Sequence, residues 1–423
     1  MKFIKSTAEA RARRAWLRRN NSRFIDFQLR PQPRIFVDVS AICRHDARTG
    51  IQRVVRAVWS ELAARSGTSF SALPVFATNE HGYCYAPLDF LEVPHRPNKL
   101  LPVSMGLSDQ FLGLDLAAHL LPKYRQQLES WREAGAQLSV FIYDLLPLTH
   151  PQWFTSAASR NFTRWFDLVS NEFDRIFCIS DTVADEVRRR LVGGPKIHRT
   201  FLGADLAASR PSTGLSDHVI EVLRKVADYP SVLMVGTIEP RKGYEAALAA
   251  FEELWKQDGA NAPALIIVGK GGWKTEALQK YIREHPENGS RLHWLDNASD
   301  QALCQLYEAA AVVLVASRAE GFGFPLIEAA LHGRRVIARD LRVFREQRLP
   351  NVSYFEDDRP PSLANEIRIA IARGDRASSV SASLPTWKTC VDKLVEEMGV
   401  DRPRNQLDLG GFDLSNQPQA MGV

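Results

Sequence analysis

The chain has 423 residues, of which 45% are hydrophobic and 24% charged, with a formal net charge of +5. That length is too great for one ordinary core and suits two domains, and the composition is that of a soluble globular protein. No apolar run approaches the roughly 20 residues that span a bilayer, and outside residues 1–23 the basic residues do not cluster, which argues against nucleic acid as a partner. The basic N-terminus lacks a following apolar stretch, so no signal peptide is expected. The cysteines Cys43, Cys84, Cys178, Cys304 and Cys390 are scattered and form no C-x-x-C pair. Neither a metal site nor a disulfide is expected, and a reducing cytoplasm fits best.

Residues 1–33 form a basic extension. Lys2, Lys5, Arg11, Arg13, Arg14, Arg18, Arg19 and Arg23 face a single acid, Glu9, with Phe3, Ile4, Trp16 and Leu17 between them. Two readings stand: a segment lying on an anionic membrane surface at the inner face of the inner membrane, or a frayed, solvated terminus. From residue 34 strand and helix signals alternate. "RIFVDVS" (34–40) reads as a buried strand. "RTGIQRVVRAVWSEL" (48–62) reads as a helix with Ile51, Val54, Val55, Val58 and Leu62 on one face, opened by a Thr49/Gln52 capping box. Strands at 70–76, 137–147 and 175–180 and helices near 116–134, 154–173 and 182–191 follow, the last capped by Ser180 or Asp181.

Residues 206–229 read as a linker because Ser, Pro, Thr and Gly interrupt the pattern. A second series runs from 230 to 385. It has strands at 231–238, 263–269, 291–296, 311–316 and 334–338, and helices at 241–256, 274–284, 300–309, 325–333 and 362–373. A terminal helix is expected within 386–400 and a disordered tail at 401–423. Repeated strand–helix units imply parallel sheets with helices on both faces. The fold class is therefore α/β: two Rossmann-like domains, 34–205 and 230–385, facing a cleft.

The chemistry concentrates at strand ends of the second series, where open α/β sheets bind ligands. In "SRAEGFGFPLIEAALH" (317–332), Gly321 and Gly323 let backbone approach a ligand and Pro325 suits a helix start. The amides around Phe324, Pro325 and Leu326 form a helix N-terminus suited to phosphate. Glu320 and Glu328 flank that anion site. Carboxylates repel phosphate, so they should face hydroxyls, and a nucleotide-sugar has hydroxyls on both sides of its diphosphate. In "VGTIEPRKG" (235–243), Arg241 and Lys242 follow the strand end at Gly236, at the start of a helix whose dipole disfavours them unless an anion is bound. "VGKGGWKTE" (268–276) is neither a dinucleotide fingerprint nor a P-loop.

With these motifs in order, the chain resembles the GT-B glycosyltransferases of family 4, the retaining E-x7-E group. The first domain resembles the subgroup that builds bacterial surface polysaccharide, through "VDVSAICRHDARTGIQRVVR" and "YDLLPLTHPQWF". The resemblance implies transfer of a hexose from a nucleotide-sugar, with GDP-mannose as the guessed donor, to a saccharide or lipid-linked acceptor. Arg241 and Lys242 would bind the donor diphosphate. Glu320 would hold the transferred sugar, Gly321, Phe322, Gly323 and Phe324 would give amides, and Glu328 would take the ribose. Thr49, Gly50 and Ile51 match the N-domain loop near the diphosphate or acceptor. Tyr143-Asp144 stands where many relatives have His-Asp, and Asp144 would lie on the acceptor side. "ASRAEG" replaces the commoner Pro-Ser-x-x-Glu-Gly. No cofactor and no metal are expected, since Arg241, Lys242 and the helix start would neutralise the diphosphate. The alternatives are a non-catalytic GT-B scaffold in a polysaccharide assembly complex and a sugar-nucleotide epimerase.

Overall fold

A computed structural model describes residues 2–28, 30, 32–92, 100–205, 209–227, 229–374 and 384–400. The tail expected at 401–423 lies outside them. The first sheet holds β1 (Arg34–Asp38), β2 (Ser71–Phe76), β3 (Cys84–Tyr85), β4 (Gln110–Gly113), β5 (Gln137–Ile142), β6 (Arg175–Cys178) and β7 (Lys196–Arg199). Their order is β3-β2-β1-β4-β5-β6-β7, parallel except for β3. The second holds β8 (Ser231–Val235), β9 (Ala264–Val268), β10 (Leu292–Leu295), β11 (Val312–Val315), β12 (Arg335–Arg339) and β13 (Val352–Phe355). It is parallel, in the order β10-β9-β8-β11-β12-β13. Central strands such as "RIFVD" and "ALIIV" are buried along their whole length, as sheets covered on both faces require.

The helices of the first domain are α1 (Lys2–Asn20), α2 (Gly50–Arg65), α3 (Arg125–Glu133), α4 (Leu146–Thr149), α5 (Ser156–Glu172) and α6 (Asp181–Arg188). Those after it are α7 (Asp217–Lys225), α8 (Tyr244–Asp258), α9 (Glu276–Glu284), α10 (Asp300–Ala309), α11 (Phe324–Leu331), α12 (Arg342–Arg345), α13 (Pro360–Ala372) and α14 (Trp387–Met398). The Thr49/Gln52 capping box forms as read, and Ser180 caps α6 by accepting from the Val183 amide at 3.2 Å. Within 206–229 the chain also forms α7, capped by Ser216.

Two features differ from the expectations. Residues 2–23 form a helix and a 3-10 turn, not a frayed terminus. Trp16 of α1 is 4% exposed, stacks on Phe24 at 5.5 Å and meets the edge of Tyr124 at 6.3 Å. Leu17 packs on the same core. Neither side chain is therefore free to enter a membrane. Arg11, Arg14, Arg18 and Arg19 remain on the solvent side of the helix. Trp16→Ala should destabilise the first domain by about 3–5 kcal/mol, the usual cost of truncating a buried aromatic, read as a fall in the urea midpoint. The second difference lies at Arg241 and Lys242. They occupy a 3-10 turn, Pro240–Lys242, ahead of α8, and Gly243 at φ 74° makes the junction. A Cβ on Gly243 would stand 2.3 Å from the Ala316 carbonyl, so only glycine lets this turn sit against the end of β11.

The terminal helix α14 returns to the first domain. It packs on α2, Arg65 pairs with Asp392 at 2.7 Å, and the Trp387 amide donates to Asp205 at 2.8 Å.

Candidate active site

The carboxyl ends of both sheets face one cleft, and Glu320 lies within it, its side chain 9% exposed. Its Oε1 accepts from Lys242 Nζ at 2.5 Å and from Ser317 Oγ at 2.7 Å, and its Oε2 from Arg241 Nη1 at 2.8 Å. Arg241 also pairs through Nε with Glu239 at 3.0 Å and donates to the Ala319 carbonyl at 3.1 Å. Burial pushes the Glu320 carboxyl up, but the two cations outweigh it and hold it at about 2. Burial would lower Arg241, yet Glu320, Glu239 and Asp144 raise it. Burial raises Asp144 despite Arg241 and the Leu146 amide, which donates to it at 3.0 Å. The result is an ionised knot in which the expected diphosphate cations are already paired with the expected sugar-binding carboxylate.

Glu328, inside the first turns of α11, is 3% exposed. Tyr307 OH donates to its Oε2 at 2.6 Å, and Arg53, from α2 of the other domain, is ion-paired with its Oε1. Gly50, the first residue of α2, faces Phe324: a Cβ there would lie 3.5 Å from that ring. Thr49 is spent on the cap and Ile51 packs against the core. Phe322 and Phe324 meet edge to face at 5.1 Å. Gly236 (φ 140°) follows β8 beneath Lys242, whose Nζ would lie 3.6 Å from a Cβ there.

One expectation needs correction. The helix start at 324–326 does not offer three amides: Pro325 has none, and the Leu326 N–H donates to the Gly323 carbonyl at 3.1 Å. Only the Phe324 amide, at the first helical position, is left over by the helix itself. Tyr143, beside Asp144 in the loop after β5, turns its hydroxyl away from the cleft. Its OH donates to the Leu114 carbonyl at 2.7 Å in the core, and what it brings to the cleft is its own carbonyl, directly beneath Gly321.

The cleft is closed. Lys270 Nζ donates to the Ala47 carbonyl at 3.2 Å, Trp273 Nε1 to the Trp153 carbonyl at 2.7 Å, and Lys274 Nζ to the Gln152 carbonyl at 2.5 Å. Arg48 pairs with Asp300 at 3.1 Å, and the Thr182 amide donates to Glu346 at 3.2 Å. His150 stacks on Trp153 at 4.3 Å in the same rim.

The sequence reading overlooked Arg53, Tyr307, Ser317 and a pair of buried acids. Asp38, at the end of β1, accepts from the Ser40 amide at 2.9 Å and from Tyr83 OH at 2.8 Å. Asp115, just past β4, accepts from the Ala41 and Ile42 amides at 2.7 Å each. Together they hold the turn that leads into the Thr49–Gly50 loop. A polar residue closing an apolar strand, as in "FVDVS", is the signal that could have found Asp38. Burial raises Asp38 to about 7 and Asp115 to about 6. A carboxyl raised on folding binds its proton more tightly in the folded state. Its contribution is therefore full below the ordinary value near 4 and is lost as pH rises through 6–7. Denaturation midpoints should fall across that window, and the fall should be shallower in Asp38→Asn.

Residues 217–382 match the family of glycosyl transferases group 1. Over 385 residues the chain is 36% identical to the serotype-specific mannosyltransferase WbdA of Escherichia coli, covering 88% of this chain and 45% of that protein. The chain spans about half the length of the curated relatives it matches first. HepE of Anabaena, crystallised with UDP and glucose, superposes with a TM-score of 0.61 at 17% identity, over 87% of this chain and 99% of its own. WaaG, a glycosyltransferase involved in lipopolysaccharide biosynthesis, does so with a TM-score of 0.56 at 14% identity, over 86% and 99%. These likenesses establish the GT-B fold.

Proposed function

We propose that this chain is a retaining hexosyltransferase. It moves mannose from GDP-mannose to a saccharide or lipid-linked acceptor during synthesis of a bacterial surface polysaccharide. The observation that carries the reading is Glu320 held between Arg241 and Lys242 at a strand end. The mannosyltransferase relatives support the sugar. On donor binding, the diphosphate takes over Arg241 and Lys242, and the freed Glu320 accepts hydroxyls of the sugar. The acceptor hydroxyl attacks the anomeric carbon on the face from which the diphosphate leaves. The bond from that carbon to the phosphate oxygen breaks, the new glycosidic bond forms, and the leaving phosphate oxygen receives the hydroxyl proton. Catalysis then rests on positioning and on stabilising charge on the leaving group. The arginines exposed on α1 give a basic face for an anionic membrane surface, held there by charge rather than by Trp16.

The test is a thermal-shift panel of GDP-, UDP- and dTDP-sugars followed by transfer assays with and without EDTA. GDP-mannose should raise the midpoint most, and transfer should persist in EDTA because the two side-chain cations supply the charge. No shift with any sugar nucleotide would refute the reading, and activity lost in chelator and restored by Mn2+ or Mg2+ would refute the metal-free mechanism.

A further inference from the structure

The cation that neutralises Glu328 does not come from the domain that carries Glu328. Within its own domain this carboxylate has a neutral donor, Tyr307 OH on α10, at 2.6 Å. A carboxylate this deeply buried is unfavourable without a positive partner. That partner is Arg53, in the first turn of α2, reaching across the cleft. Arg53 is aimed on three sides by the donor domain. Its guanidinium pairs with Glu328, lies 3.8 Å from Asp300 Oδ1, and sits over the Phe324 ring at 5.5 Å. Asp300 is in turn fixed by the Ser212 amide and hydroxyl at 2.7 and 2.8 Å. The arginine side chain is only 14% exposed, so these contacts are largely shielded from water.

We propose that Arg53 is a positioning residue for ribose recognition: it holds the Glu328 carboxylate in place, so the grip on the nucleotide is completed by the opposite domain. This rests on the reading that Glu328 takes the ribose hydroxyls. The stereochemistry suits it. A carboxylate offers about two acceptor directions on each oxygen. Arg53 uses one on Oε1 and Tyr307 one on Oε2, which leaves one on each oxygen for a vicinal diol. Ribose presents such a pair at its 2′ and 3′ positions. Discrimination for ribose therefore depends on closure, and an open donor domain binds the diphosphate without it.

The experiment measures calorimetric binding of GDP, UDP and ADP. It then compares the best binder with its 2′,3′-dideoxy form in wild type, Arg53→Ala, Arg53→Lys, Glu328→Gln and Arg53→Ala/Glu328→Gln. Wild type should prefer the ribose form by roughly ten- to a hundredfold, the scale of a hydrogen bond to a charged group. Arg53→Ala should lose most of that preference while binding the dideoxy form as wild type does. Arg53→Lys should restore part of it, and the double variant should be no worse than Glu328→Gln. Arg53→Ala that keeps the full ribose preference, or binds the ribose form more tightly than wild type, would overturn the proposal, the second result marking Arg53 as a block. If Arg53→Ala does not fold, a ribose preference in Arg53→Lys that is unchanged from wild type overturns it. If wild-type protein binds none of the three nucleotides, the transferase reading falls first and this inference with it.

Discussion

Arg241→Ala and Lys242→Ala should each lower transfer by about a hundredfold or more, the scale of losing one donor aimed at developing charge. Both cations contact Glu320, and both would lie against the leaving diphosphate once that carboxylate turns to the sugar. The two changes should not be equivalent. Arg241 also pairs with Glu239 and is the main opposing charge for Asp144, so its loss leaves three acids crowded in a dry site. Removing one partner of a buried ion pair costs about 3–5 kcal/mol, so Arg241→Ala should also lose thermal stability, whereas Lys242→Ala leaves the Arg241–Glu320 bond in place. Glu320 adds a pH signature. Its carboxyl is lowered on folding to about 2, so its contribution is present above the ordinary carboxylate range and is lost as pH falls toward 2. Turnover, nucleotide affinity and melting midpoint should be measured together. Unchanged kinetics in a folded double variant would remove both residues from the site.

Gly321→Ala should separate donor binding from transfer. A Cβ on Gly321 would stand 1.9 Å from the Tyr143 carbonyl and 3.2 Å from the Asp144 Cβ, and both of those belong to the loop after β5. Side-chain carbon and backbone oxygen cannot share that space, so the donor loop must stop short of the acceptor loop. Each sheet is built without this contact, so both domains should fold and nucleoside diphosphate should still bind. A misplacement of about 1 Å can cost a hundredfold in rate, and a loss of that order in kcat is the expected result. Small-angle scattering should show a larger radius of gyration than wild type. Full transfer activity in the variant would mean that the closed contact between the Gly321 and Tyr143 loops is not used in the reaction.

The fold was legible where burial leaves an unambiguous apolar run. β1, β8, β9 and β11 all read as strands because both faces are covered, and α2 announced itself through its capping box and periodic valines. The strands missed were β3, β4, β7 and β13. Three of them lie at sheet edges, where one side meets solvent and the run is diluted, as in "KIHR". β4 is central but only four residues long, "QFLG", too short to stand out. The helix α1 was hidden by its arginines, since one buried tryptophan is a weak period. At the site, the residue types were readable and their pairing was not. Arg241 and Glu320 are 79 positions apart, and no local pattern says that a carboxylate expected to face hydroxyls meets the cations first. Arg53 lay in plain view in "GIQRVVR", yet its partner Glu328 is 275 residues away.

The return of α14 to the first domain has a mechanical consequence. The polypeptide passes between the domains twice, once after Asp205 and once before Pro385. At the first domain the residues that flank the two passages lie side by side, tied by the Ala204 amide to the Pro385 carbonyl at 2.9 Å and by Asp205 to the Trp387 amide. A body joined to another at one spot by two adjacent strands swings about that spot and cannot readily slide or spin. Closing the site is then expected to be a swing about this tie, which would bring Gly321 onto Tyr143 and Glu328 onto Arg53, so the accuracy of the site would be set at the far end of the arm.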